Sequence, residues 1–116
     1  MRTLLIINGP AYGSDVTYNA VRLAVAVAKK EDQVADVFLM GDGVTVAMGN
    51  QRTPDGYYTL DRMLAAIPRH GGQVLCCGTC MDARGISEDL LMDHARRSTL
   101  DELADLTIAA DKVVVF

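Results

Sequence analysis

Apolar residues gather in four short runs along the chain, at residues 3–7, 34–40, 73–77 and 112–116, and three of the runs are nearly unbroken. A strand with one solvated face alternates apolar and polar positions. A strand buried on both faces reads as a continuous apolar stretch, the mark of a parallel sheet covered by helices. Between the runs the spacing becomes helical. Over residues 14–30, Val16, Ala20, Leu23 and Val27 recur on one face and Asp15, Asn19, Arg22 and Lys29 on the other, with Ser14 or Asp15 placed to cap the start. Over residues 59–67, Leu60, Met63, Leu64 and Ile67 follow helical spacing. Pro68 disfavours helix at the residue before it, and Gly71-Gly72 makes the turn into the next strand. A last helix begins at "STLDELADL", where Thr99 and Glu102 have capping-box spacing and Leu100, Leu103, Ala104 and Ile108 form a stripe expected to be buried.

Strand and helix thus alternate, which predicts right-handed βαβ units and an α/β fold with an open sheet. No repeat, low-complexity tract or linker divides the chain, so residues 1–116 read as a single domain. The least regular part is residues 41–58, where "NQRTPDGYY" is rich in turn formers. It reads as an exposed loop after a short helix near residues 43–48. The segment "LLMDHARR" reads as a charged helical surface carrying His94, and His70 as part of a solvated turn between helix and strand.

Composition narrows the function classes. The net charge of −4 and the lack of a basic run argue against direct nucleic-acid binding. The apolar part of the N-terminus, Leu4 to Ile7, is too short for a signal-peptide core or a membrane span. A cytoplasmic protein with reduced cysteines is therefore expected. There, clustered cysteines point to metal or catalysis more often than to a structural bridge.

In open α/β sheets, ligands bind outside the carboxyl ends of the strands. Two stretches fall there: "NGPAYGSD" after the first strand and "CCGTCMDARG" after the third. The first has glycines ahead of a helix, so Gly9, Tyr12 and Gly13 are candidate substrate contacts. It lacks the lysine of a P-loop and the spacing of a dinucleotide fingerprint, and a plain turn feeding a helix also fits. The second holds all three cysteines: Cys76, Cys77 and Cys80. A zinc site within the chain lacks ligands, since only His70 and His94 remain and they stand alone, so no metal and no cofactor is expected. A dithiol pair, a single nucleophilic thiolate and simple burial all stay open. Alternation of side chains points Cys76 into the core and Cys77 toward the crevice. Arg84 would favour a Cys77 thiolate and Asp82 would oppose it.

The stretches "NGPAYGS", "VFLMGDGV", "LCCGTCMDARGI" and "ADKVVVF", in that order over nearly the whole length, resemble the DsrE/DsrF-like family, most of all its YchN type. The resemblance implies a three-layer open α/β sandwich with a mostly parallel β-sheet, and assembly as a homo-oligomer, a trimer or hexamer. It also implies sulfur donor and acceptor proteins as partners. In the family's sulfur-relay members one cysteine carries sulfur as a persulfide. It ends the third strand, eight residues before a glycine preceded by arginine. Counting back from Gly85 reaches Cys77. The relay subunit has no second cysteine three residues on, whereas this chain has Cys80, as YchN-type members do. Cys77 and Cys80 are thus the expected catalytic pair, and Arg84 joins Gly9, Tyr12 and Gly13 as an expected substrate contact. A non-catalytic oligomeric module that binds a small ligand or partner, and a Cys77/Cys80 dithiol redox protein, are the competing readings.

Overall fold

The computed structural model describes all residues, 1–116. Five strands form one sheet: β1 (Arg2–Ile7), β2 (Val34–Leu39), β3 (Val74–Cys77), β4 (Ala95–Ser98) and β5 (Lys112–Val115). Their order is β4-β3-β2-β1-β5, and every neighbouring pair is parallel. The helices are α1 (Asp15–Ala28), α2 (Leu60–Leu64), α3 (Ala66–Arg69), α4 (Gly78–Ala83) and α5 (Leu100–Ala109). The steps β1 to β2, β2 to β3 and β3 to β4 all move the same way across the sheet, so right-handed crossovers carry α1 to α4 on one face. The return from β4 to β5 spans the whole sheet and carries α5 on the other. This is a three-layer α/β sandwich with its parallel strands wrapped by helices.

The four apolar runs became β1, β2, β3 and β5. β4 is an addition: "ARRS" lies in and just after the segment read as helical surface, and it forms an edge strand. Only Ser98 of its four residues is buried, so its sequence carries no apolar run to find. His94, just ahead of it, sits in a left-handed turn with φ 69° that ends any helical continuation.

A cluster of 25 buried residues forms the core, with Leu5, Ile7, Val37, Leu39, Val74 and Cys76 on the face that α1 covers. The buried stripe of α1 is Thr17, Ala20, Val21, Ala24 and Ala28, not the bulkier set with Val16, which is 55% exposed. Small side chains win because the helix runs close to the chain leaving β1: a Cβ on Gly9 would collide with Thr17 Oγ1. Along α2 and α3, Leu60, Leu64 and Ile67 are fully buried. Pro68 lies inside α3 rather than after it. The helix restarts at Ala66, and in a first turn the missing N–H has no helical partner to lose.

Residues 41–58 are only partly a surface loop. Gly41–Ala47 forms a 3₁₀ helix that buries Gly43, Val44, Val46 and Ala47 against β2 and β3. The tip at Asp55, Gly56 and Tyr57 is exposed.

Two polar contacts fasten the sheet. Asp36, 3% exposed on β2, accepts hydrogen bonds from the Arg2 guanidinium and from Gln73 N at the start of β3, so it ties three strands together. At the far edge the Thr99 hydroxyl caps α5 by accepting from Glu102 N at 3.1 Å, as the capping-box spacing predicts. The Glu102 carboxylate does not reach back to the cap. It accepts from Arg96 at 2.6 and 2.8 Å and from the Ser98 hydroxyl, which anchors α5 to β4. That tether turns Leu103 inward and leaves Leu100 and Ile108, 70% and 84% exposed, on the outside with Ala104. The stripe read as buried is therefore mostly solvent-facing.

The Arg96 and Ser98 hydrogen bonds hold the Glu102 carboxyl, ordinarily near 4.5, down to about 2. A depressed carboxyl contributes stability that is present above its unfolded value and lost as pH falls toward its folded value. Glu102→Gln is expected to melt below wild type at neutral pH, with the gap narrowing as the pH is lowered from 4.5 toward 2. Thermal melts of both proteins across that window check this.

Candidate thiol site at the carboxyl edge of the sheet

The last residue of β3 is also the cap of the next helix. Cys77 ends the strand, and its Sγ accepts a hydrogen bond from Cys80 N at 3.3 Å, in the position a serine or aspartate side chain takes at a helix start. The Thr79 hydroxyl lies 3.4 Å from the same sulfur. The sequence Cys-Gly-Thr-Cys then coils so tightly that the sulfurs of Cys77 and Cys80 are paired as a disulfide, with Cα atoms 5.2 Å apart. Cys76 points to the opposite face, into the core, and is fully buried. Burial, with a smaller contribution from the Glu88 charge, pushes its thiol up to about 12, so it stays protonated and inert. Strand alternation separated these two cysteines correctly.

It erred on exposure. Cys77 is only 7% exposed, and Cys80 is the more open member of the pair. Cys77 pairs with Ser98 of β4, the strand the sequence pattern hid. Arg97 on β4 lays its guanidinium over Gly78, where an added Cβ would stand 2.8 Å from Arg97 Nε and 2.9 Å from the Ser98 carbonyl oxygen. At position 78 only glycine fits without a shift of the backbone or of Arg97. Arg97 is held there by two hydrogen bonds to Asp82, at 2.7 and 2.8 Å. Each partner favours the other's charge: Asp82 shifts to a lower and Arg97 to a higher pKa, chiefly through those bonds. Asp82 therefore does not face the thiol as a free anion.

Arg84 is engaged as well. Its Nε and Nη2 donate to Asp42 Oδ1 at 3.0 and 2.8 Å, and its Nη1 donates to the Cys80 carbonyl at 3.0 Å. It braces the helix that carries Cys80, and its charge is shared with Asp42. From Asp42 the network continues: the Thr45 hydroxyl donates to the Asp42 carbonyl at 2.7 Å and accepts from Ala11 N at 3.0 Å. The two loops singled out in the sequence, "NGPAYGSD" and "CCGTCMDARG", thus meet through the 3₁₀ segment between them.

Within the first loop Gly13 takes φ 89°, a conformation that glycine tolerates and other residues resist, and nothing occupies the space beside it. Gly9 is needed for its close approach to Thr17. Tyr12 donates to Gln51 Oε1 at 2.6 Å, accepts from Leu60 N at 3.2 Å and stacks on Tyr58, whose ring lies on Tyr18 in turn. These contacts make Tyr12 a pin between the loop, the segment around Gln51 and α2. Asp42, Thr45 and Arg97 are the residues of this site that the sequence reading did not single out. "GDG" after the second strand was the available signal for Asp42; Arg97 had none.

No three His, Cys, Asp or Glu side chains converge in a way that would hold a metal ion. One open surface groove is lined by Gly49, Asn50, Arg62 and His94 among others and another lies between α1 and α2–α3, and no cysteine borders either. No helix is long and apolar enough to cross a membrane.

Comparison with known proteins agrees with this architecture. The model of the DsrE/DsrF-like family matches residues 1–116. Protein YchN of Escherichia coli is 38% identical over 116 residues, covering 99% of this chain and 98% of that protein. The crystal structure of YchN from E. coli superposes with a TM-score of 0.90, covering 100% of both chains at 39% identity. A more distant relative, sulfurtransferase TusD of Klebsiella pneumoniae, is 29% identical over 130 residues and is covered completely.

After reduction of the native chain, a small alkylating reagent is expected to modify Cys77 and Cys80 and to spare Cys76 until denaturant is added. Peptide mass mapping reads this out. Gly78→Ala is expected to lower the midpoint of urea unfolding, because the backbone or Arg97 must shift to admit the methyl group.

Proposed function

The chain belongs to the DsrE/DsrF-like family, and from that premise we propose that it is a sulfur-relay-type protein that accepts and donates sulfane sulfur as a persulfide on Cys77, with Cys80 as the modulating thiol. The observation that carries the reading is the β3–α4 junction. There Cys77 Sγ receives the Cys80 N–H, and the second sulfur stands within bonding reach. An N–H aimed at a sulfur favours its anionic form, and the thiolate is the species that attacks. The name of the TusD relative supports the class of chemistry.

The steps follow from exchange chemistry. The Cys77 thiolate attacks the outer sulfur of a donor persulfide. A new S–S bond forms, the donor's S–S bond breaks, and the donor leaves as a thiolate. An acceptor thiolate then takes the outer sulfur in the same way and restores Cys77. Cys80 opens a branch. Its thiolate can attack Cys77 Sγ, forming the Cys77–Cys80 disulfide and expelling hydrosulfide, after which an external thiol must reduce the pair. In this reading Arg84 and Arg97 are positioning residues. Gly9, Tyr12 and Gly13 shape the neighbouring loop, against which a donor or acceptor protein would seat. Working partners are a sulfur donor and a sulfur acceptor, the location is the cytoplasm, and the chain acts as a homo-oligomer.

The pairing of Cys77 with Cys80 also favours a second reading, a dithiol redox protein. Intact mass after incubation with a persulfide donor separates the two. The carrier reading expects Cys80→Ser to gain one sulfur and Cys77→Ser to gain none. If Cys77→Ser gains as much as Cys80→Ser, the carrier reading fails. If neither gains sulfur while wild type cycles reversibly between dithiol and disulfide, the redox reading replaces it.

A further inference from the structure

Four ion pairs engage Arg2, Arg84, Arg96 and Arg97. Of the other cations, four converge on one groove. On its α1 wall, Arg22 and Lys29 bracket Val25 and Ala26. On its α2–α3 wall, Arg62 and Arg69 bracket Met63 and Ala66. Each wall repeats one layout, a cation at either end and apolar side chains between. No acidic residue lines the groove, although the chain carries a net charge of −4. An occupant that fits presents an apolar stripe with carboxylates beside it, the mode in which an amphipathic helix lies in a groove.

The chain carries such a helix unpartnered. On α5, Leu100, Ala104 and Ile108 stand four residues apart, one above the other, on the exposed face. Asp101 and Asp105 are exposed alongside them. In α5 the inward residue is Leu103, so the outer stripe is left over by the fold itself. We infer that the α5 stripe of one copy docks in the α1/α2–α3 groove of a second copy, with Asp101 and Asp105 facing the groove's arginines and lysine. Leu100 and Ile108 then lose the water contact they now have, and opposite charges fix orientation. The groove and α5 lie on opposite faces of the sheet, so the contact is heterologous. Each copy gives its helix to one neighbour and its groove to another, which makes a closed ring or an open stack.

This inference rests on the homo-oligomer reading above and is independent of the sulfur chemistry. Sedimentation velocity on the full chain across a concentration series tests it with Arg62→Glu/Arg69→Glu, which spoils the groove, and Asp101→Lys/Asp105→Lys, which spoils the helix. All four side chains are surface-accessible, and circular dichroism confirms that the variants fold. Arg62→Gln/Arg69→Gln serves if the first pair does not. Each variant alone is expected to need at least about tenfold more protein to assemble, the effect of roughly 1.4 kcal/mol. The two mixed together are expected to associate with one another, because each keeps the surface the other lacks. Either variant assembling like wild type overturns the contact but leaves the homo-oligomer reading standing, as does a mixture of folded variants that stays apart. A wild type that is monomeric at every concentration overturns both.

Discussion

Everything at the carboxyl edge of this sheet depends on one sulfur serving two backbone elements. Cys77 closes β3 and caps α4, so the position of its Sγ is fixed by the parallel ladder on one side and by the Cys80 N–H on the other. A strand buried on both faces cannot slide without exposing its apolar set. The helix cannot shift without losing the hydrogen bond at its start. The second thiol then falls where one helical turn puts it, with its Cα 5.2 Å from that of Cys77. The Cys77–Cys80 pair is therefore a product of the fold's geometry rather than of a flexible loop.

The charges around the pair are arranged in closed couples. Asp82 binds Arg97, and Asp42 binds Arg84, each through two hydrogen bonds. Both couples are largely solvent-exposed, and such pairs contribute little net stability. Their consequence is positional. Arg97 roofs Gly78, while Arg84 grips the Cys80 carbonyl.

What the sequence revealed and what it hid have a common physical origin. Strands buried on both faces announce themselves as apolar runs, so β1, β2 and β3 were legible; β5 was legible because its "VVV" is apolar although it lies exposed at the sheet edge, and the parallel α/β architecture followed from the alternation of these runs with helices. β4 was not, because its sequence is polar: its arginines point to Gln73, Glu102 and Asp82 instead of into the core. With β4 hidden, the strand that flanks Cys77 and covers Gly78 was hidden too. The face of α1 was misassigned because periodicity ranks residues by hydrophobicity, whereas close packing on the sheet selects alanines. In α5 the tether of Glu102 to β4 overrode the apolar stripe, a long-range contact that no local pattern records. By contrast, the separation of Cys76 from Cys77 and the Thr99 cap were readable, since both follow from local geometry alone.

The central claim is that Cys77 holds sulfur for delivery and that Cys80 governs its fate. The most direct measurement is the route taken by isotopically labelled sulfur loaded from a small persulfide donor. The account predicts that the Cys80→Ser chain keeps one labelled sulfur on Cys77 until an acceptor thiol is added and then passes it on. It predicts that the reduced wild-type chain, left without acceptor, releases labelled hydrosulfide as the Cys77–Cys80 disulfide forms. Label that never resides on Cys77, or that leaves Cys80→Ser as fast as it leaves wild type without an acceptor, would contradict it.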